Sequence, residues 1–235
     1  MSTPIPLPTL YVEGKDDISV INALLSRHGV DTERGKRHLL IKDQENAETL
    51  LLGMPVAVKA ATDRPVGFVV DIDVEIKIRW NAVCGRLREA GVGSPPSACP
   101  ATGYFGQLPN YAHRFGVWLM PDCATDNLKM EHLCQSLIAG DDPLWPHAQA
   151  AVAQAAQIVD DANQNIVEQE RRWARFREVD RIKSEVHTWL AWQRAPGAPL
   201  GAAINDRILG RDSPQAIAFL RWFKELFGFT QLTTL

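Results

Sequence analysis

The chain has 235 residues, of which 46% are hydrophobic and 23% charged, and its formal net charge is −3. That composition describes a folded globular protein, one domain or one domain with an appended helical part, and excludes a chain dominated by disorder. The acidic balance argues against a protein that coats nucleic acid, but not against a nuclease, whose metal ions supply local positive charge. No apolar run approaches the roughly 18 residues of a membrane span. The opening MSTPIPLPTL has neither a basic nor a long apolar region, so no secretory signal is expected. The four cysteines form no C-x-x-C pair. Their scatter fits buried, reduced thiols and a cytoplasmic location.

Strand and helix signals alternate through the first half. Thr9 to Glu13 is a short apolar run closed by a glycine. Asp16 and Asp17 then open a segment with Val20, Ile21, Leu24 and Leu25 at helical spacing, and acids suit a helix N-terminus. His38 to Lys42 reads as a second strand. Asn46 to Ala61 reads as a helix weakened by Gly53 and Pro55. Val66 to Asp73 is nearly continuous in apolar residues, the mark of a strand buried on both faces. Ile76, Trp80, Val83, Cys84 and Leu87 fall on one helical face. Gly91 to Pro109 reads as a loop or irregular hairpin. Phe115 to Met120 is a fourth strand, and a helix is expected from about Asp126 to Ala139. This alternation implies an α/β fold with a mainly parallel sheet flanked by helices.

The second half is helical. Between Pro146 and Gln193, Val152, Ala155, Val159, Ala162, Ile166, Trp173 and Phe176 keep a near-heptad rhythm. A single helix of that length would span roughly 70 Å, so a break is expected. A last amphipathic helix begins near Ser213-Pro214. The expected division is an α/β domain over 1–142 and a helical extension over 143–235.

Four acids should meet. Glu13 ends the first strand, Asp71 and Asp73 end the third, and Asp122 follows the fourth. Parallel strands end along one edge, where ligands bind. Side chains alternate along a strand, so Asp71 and Asp73 should face the same way, with Ile72 opposite. Carboxylates so close repel one another. A hard divalent cation resolves the repulsion, and oxygen ligands without a histidine cluster suit Mg²⁺ or Mn²⁺.

YVEGKDD at 11–17 and VVDID at 69–73 resemble the two signature motifs of the Toprim domain, found in topoisomerases, primases and OLD-family nucleases. The resemblance implies a Rossmann-like sheet in which Glu13, Asp71 and Asp73 hold Mg²⁺, and a Gly14 that lets the chain turn tightly. Asp17 matches an acid that OLD-like nucleases often carry there. GVWLMPD at 116–122, Glu131 and HTWLAWQRAPGAPLGAAI at 187–204 are similar to a bacterial family of small Toprim-like proteins of unknown function. That family often has Asp-Asn after the proline and Leu-Glu-Asp in the next helix. Cys123 and Met130-Glu131-His132 depart from this pattern.

Lys183 and His187 lie one helical turn apart. By analogy with a late lysine of OLD-like nucleases, Lys183 is a candidate for transition-state stabilisation. Arg171, Arg172, Arg175, Arg177, Arg181 and Lys183 form a basic stretch diluted by Glu168, Glu170, Glu178 and Asp180. Such mixing reads as a solvated helix face, with a phosphate-tracking face as the alternative. Trp189, Leu190 and Trp192 read as packing residues. The expected function is Mg²⁺-dependent cleavage of nucleic acid, DNA or RNA, with Glu13 as ligand or general acid–base. The alternative is a non-catalytic module that docks on a partner such as an ATPase. A homodimer is compatible with either.

Overall fold

The computed structural model describes residues 7–30, 39–164, 166, 173–174, 176–230 and 232. Its elements are β1 (Thr9–Val12), α1 (Lys15–Arg27), β2 (Leu40–Asp43), α2 (Ala47–Ala60), β3 (Val66–Asp71), α3 (Ile76–Glu89), β4 (Tyr104–Gly106), β5 (Phe115–Met120), α4 (Met130–Ser136), α5 (Leu144–Ala162), α6 (Arg181–Ala191), α7 (Leu200–Asn205) and α8 (Pro214–Phe227). A single 3₁₀ turn, Glu178–Asp180, precedes α6.

The sheet order is β2-β1-β3-β5-β4. The first four of these strands run parallel, and β4 pairs antiparallel with β5. The fold is therefore the expected α/β class, with a mostly parallel sheet flanked by helices and further helices at the C-terminal end. β3 and β5 lie at the centre of the order and are buried along nearly their whole length, as their continuous apolar runs require. The Gly- and Pro-rich stretch of 91–109 contributes β4, the outer arm of a hairpin with β5. No helix among the described residues is long and apolar enough to cross a membrane.

Glycines let α8 lie close to the sheet. Gly67 and Gly116 are register partners on β3 and β5. A Cβ on Gly67 would come within 3.0 Å of Leu226, and one on Gly116 within 3.0 Å of Trp222. The missing side chains make a shallow seat for that helix. Trp222 then closes on Trp118 and Phe219, each ring centroid 5.9 Å away. Ser213 caps α8 by accepting from the Ala216 amide, Pro214 occupies its first turn, and Gly228 ends it at φ 71°, as expected of a well-signalled helix.

One buried cluster runs from Leu10 on β1 to Leu232, through both the α/β part and the C-terminal helices. α1 buries Val20, Ile21, Leu24 and Leu25. Its partner is α7, where a Cβ on Gly201 would lie 2.4 Å from the Ser19 carbonyl oxygen. Backbone of α1 cannot retreat from that contact without unpacking its apolar face. Gly201→Ala is therefore expected to destabilise the protein by about 1–3 kcal/mol through overpacking. Denaturant unfolding measures it, and a variant as stable as wild type would show that α1 and α7 separate freely.

The helix expected over 46–61 forms as α2 and runs through Gly53 and Pro55, because Leu50, Leu51, Met54 and Val58 bury its inner face and packing outweighs propensity. Other expectations shift. The helix expected over 126–139 shrinks to Met130–Ser136. Asp126 instead accepts the Ile76 amide at the start of α3, and Asn127 takes a positive φ of 58°, which no helix continues through. The long helical stretch does break, between α5 and α6. Its buried stripe is Ala148, Val152 and Ala156, while Ala155 is exposed. Trp189 and Leu190 are buried, but Trp192, at the end of α6, is 43% exposed. Arg171, Arg172, Arg175, Glu168 and Glu170 lie outside the described residues. Of the rest of the basic stretch, Arg177 pairs with Asp180 and Arg181 with Glu178.

Candidate metal centre

Glu13 leaves the end of β1 and reaches across to β3. Its Oε1 accepts the Asp71 amide at 2.7 Å. Asp71 is the last residue of β3 and stands in register with Met120 of β5. Asp73 does not continue the strand. It takes a left-handed φ of 51°, and the Val74 amide closes a tight turn onto the Ile72 carbonyl at 2.5 Å. Aspartate tolerates this region better than most residues, and such backbone strain collects at functional sites. The turn, rather than a pleat, brings Asp73 back beside Asp71, while Ile72 is buried in the core. One carboxylate oxygen from each of Glu13, Asp71 and Asp73 lies within 4.8 Å of the others, an arrangement that can hold a metal ion.

Asp17 stands behind this group in the first turn of α1. Its Oδ2 accepts the Gly14 amide at 3.0 Å. Gly14 itself is extended, with φ −143°, so the chain turns there without left-handed backbone. Space is the reason for glycine: a Cβ there would sit 3.3 Å from the Asp17 carboxylate. The other Asp17 oxygen, Oδ1, and Asp71 Oδ1 are buried with no hydrogen-bond partner. Buried carboxylate oxygens rarely stay unpaired, and a cation satisfies them.

Electrostatics agree with that fit. Burial pushes the Glu13 carboxyl up to about 7, with Asp73 and Asp17 adding repulsion against its bond from the Asp71 amide. Burial likewise raises Asp17 to about 6. Asp71 is raised well above the usual carboxylate range, by burial first and then by Asp17, Glu13, Asp73 and Glu131. Two cations offset part of this charge. Arg79 Nη2 lies 3.4 Å and Lys129 Nζ 3.6 Å from Asp73, and Lys129 also meets Asp180 at 3.0 Å.

These shifts fix a pH dependence. A carboxyl whose pKa is raised by folding stabilises the fold below its unfolded pKa, near 4, and loses that contribution as pH rises through the folded value. For Glu13 and Asp17 the loss falls between about pH 4 and 7. His132, held below its ordinary pKa mainly by burial, opposes this as one group against three. Metal-free protein should thus melt higher at pH 5 than at pH 8, and Mn²⁺ should raise the pH 8 melting point most. Asp71→Asn with Asp73→Asn should flatten the slope and remove Mn²⁺ binding. Scanning calorimetry with chelator and with Mn²⁺ reads both, and an unchanged slope and affinity in the double variant would overturn the assignment.

The cleft around these acids has a volume of about 570 Å³. Lys15, Lys129 and Lys183 line it, as do Asp16, Asp43, Glu45, Glu131 and Asp180. Lys183 is 54% exposed and lies 3.7 Å from Glu131, at the rim rather than on the acids. His187, its neighbour on α6, is exposed. Asp122 stays outside the cleft. Its carboxylate accepts the Ala124 and Thr125 amides and the Thr125 hydroxyl, so it braces the loop after β5 and does not join the other three acids. Sequence reading missed Arg79, Lys129 and Asp180. Arg79 is six residues past Asp73, in the first turn of α3. Nothing local marks Lys129, whose ion pairs with Asp73 and Asp180 span 51 residues or more, and the local partner of Asp180, Arg177, does not point to the cleft.

Fold and site together define an α/β protein with an acidic, metal-capable centre at the carboxyl edge of its sheet. The chain belongs to the family described as "Protein of unknown function (DUF3226)", which it matches over residues 8–228. No curated protein and no solved structure matches it.

Proposed function

We propose that this protein is a Toprim-like phosphodiesterase that cleaves nucleic acid with Mg²⁺ or Mn²⁺. The observation that carries the reading is the convergence of Glu13, Asp71 and Asp73 within 4.8 Å, with Asp71 Oδ1 buried and unpartnered among them. A donor set of oxygens alone suits a hard cation that keeps several waters. A divalent ion held there would supply Lewis acidity toward a phosphate oxygen and would lower the pKa of a bound water. Asp71 and Asp73 hold the ion, and Asp17 contributes charge behind them. Glu13, with a pKa near 7, serves as ligand or moves a proton at its carboxylate. Lys129 fixes the Asp73 carboxylate, and Lys183 at the rim is placed to meet a phosphate entering from solvent.

The test is cleavage of single- and double-stranded DNA and RNA by purified protein with Mg²⁺ or Mn²⁺. Cutting that chelation stops, and that Asp73→Asn lacks, supports the reading. Metal binding without cutting overturns it.

One observation favours a second reading, a non-catalytic module that docks on a partner such as an ATPase. The described lining of the cleft holds far more acids than cations, and Lys129 and Lys183 are already paired with acids. A polyanion meets repulsion at such a rim unless bound metal offsets it.

A further inference from the structure

A second cavity, of about 480 Å³, adjoins the metal cleft. β5 ends at Met120, the register partner of Asp71, and neighbouring strands lie about 4.8 Å apart. Pro121, the next residue, lines this second cavity. The cavity therefore opens one strand away from Asp71 along the same carboxyl edge. The start of α4 forms the partition. Lys129, Met130 and Glu131 line the metal cleft, whereas His132, Gln135 and Ser136 line the cavity. Positions i, i+3 and i+4 share one helix face, so α4 serves both spaces at once.

We propose that this cavity receives one unpaired nucleobase of the strand whose phosphate lies in the metal cleft. The proposal rests on the phosphodiesterase reading and names its substrate feature: single-stranded nucleic acid, or a base turned out of a duplex. Three observations carry it. First, the lining has no lysine or arginine among the described residues but includes Asp122 and Asp142. Such a wall repels phosphate and suits a neutral ring. Asp142 Oδ1 is already occupied by the Leu144 and Trp145 amides and the Trp189 indole N–H. Second, the Lys129 amide donates to His132 Nδ1 at 3.1 Å. Nδ1 is thus unprotonated, and the ring carries its proton on Nε2 as a fixed donor. The Gln135 amide adds a donor and an acceptor. Third, the half-buried indole of Trp145 lines the space, and aromatic faces are the usual platform for unpaired bases. The lining mixes polar side chains with Leu128, Ile138, Ala139 and Trp145, and its volume falls within the roughly 300–1,000 Å³ of sites for small ligands. A base in a duplex is stacked and has its pairing edge in use, so it cannot enter without being turned out.

The experiment titrates adenosine, guanosine, cytidine and uridine into the full chain by calorimetry, with chelator present. These probes lack phosphate, so binding is independent of the metal centre. At least one is expected to bind at roughly 0.1–1 mM, with the same affinity in Glu13→Gln. Trp145→Ala should weaken it about tenfold or more. Ala139→Trp, at an exposed position on the cavity's edge, fills the space without touching the core and should weaken binding as much. Failure of all four nucleosides to bind, or undiminished binding in Ala139→Trp, overturns the proposal. Nucleoside binding lost in both variants, from a protein that never cleaves, supports the base site and overturns the cleavage reading. Cleavage without any nucleoside binding does the reverse.

Discussion

Glu13→Gln is expected to slow metal-dependent cleavage by about 10²-fold or more, the usual cost of losing an essential acid–base group or metal ligand. The substitution keeps the side chain's length and one acceptor oxygen, so the bond from the Asp71 amide can persist. What disappears is negative charge, and with it a carboxyl whose pKa lies near 7. The variant should be at least as stable as wild type above pH 7, because a buried charge facing Asp71, Asp73 and Asp17 has been removed. A slower enzyme that melts no lower separates loss of chemistry from loss of fold. Contaminating nucleases are the main source of false activity, so variant and wild type need identical purification. If Glu13→Gln cuts as fast as wild type, the activity arises elsewhere.

Trp189→Ala is expected to cost about 3–5 kcal/mol of stability, a fall of roughly 10 °C in melting temperature for a chain of this size. Trp189 is 1% exposed, and its indole N–H donates to Asp142 Oδ1 at 3.1 Å. Truncation leaves a cavity beneath α6 and strips one donor from a carboxylate that also receives the Leu144 and Trp145 amides. Trp189→Phe should recover most of the packing and none of the hydrogen bond. Mn²⁺ affinity, measured well below the melting point, should stay near wild type in both variants. A Trp189→Ala protein that melts normally but loses nucleic-acid binding would make this residue a binding platform rather than a core residue.

The elements most legible in the sequence are those whose burial leaves no choice. The continuous apolar runs of β3 and β5 mark central strands, and acids placed directly after such runs mark a common edge. Glu13, Asp71 and Asp73 were visible on that logic, and so was Asp17 through the resemblance. Asp122 obeyed the same logic in one dimension, yet its carboxylate is engaged by amides two and three residues ahead, a local competition that strand position does not reveal. α2 keeps the reach expected over 46–61 despite Gly53 and Pro55, whereas the long reach expected for α4 fails. Burial carried α2 across a proline, while a distant helix start at Ile76 claimed Asp126. Arg79, Lys129 and Asp180 are ion-pair partners across loops, and charges of that kind carry no periodicity to read.

The contact between Gly201 and Ser19 bears on anyone who would transplant this metal centre. Ser19 sits two residues beyond Asp17 on α1, and the helix that holds α1 against the sheet comes from near the far end of the chain. A minimal scaffold cut after residue 142 would keep every candidate ligand and discard the strut that aims one of them. Grafting Glu13, Asp17, Asp71 and Asp73 onto another α/β host therefore requires a surrogate for α7, with a residue no larger than glycine facing that turn. The portable unit is the pair of helices together with the strand ends, and its sequence is not contiguous.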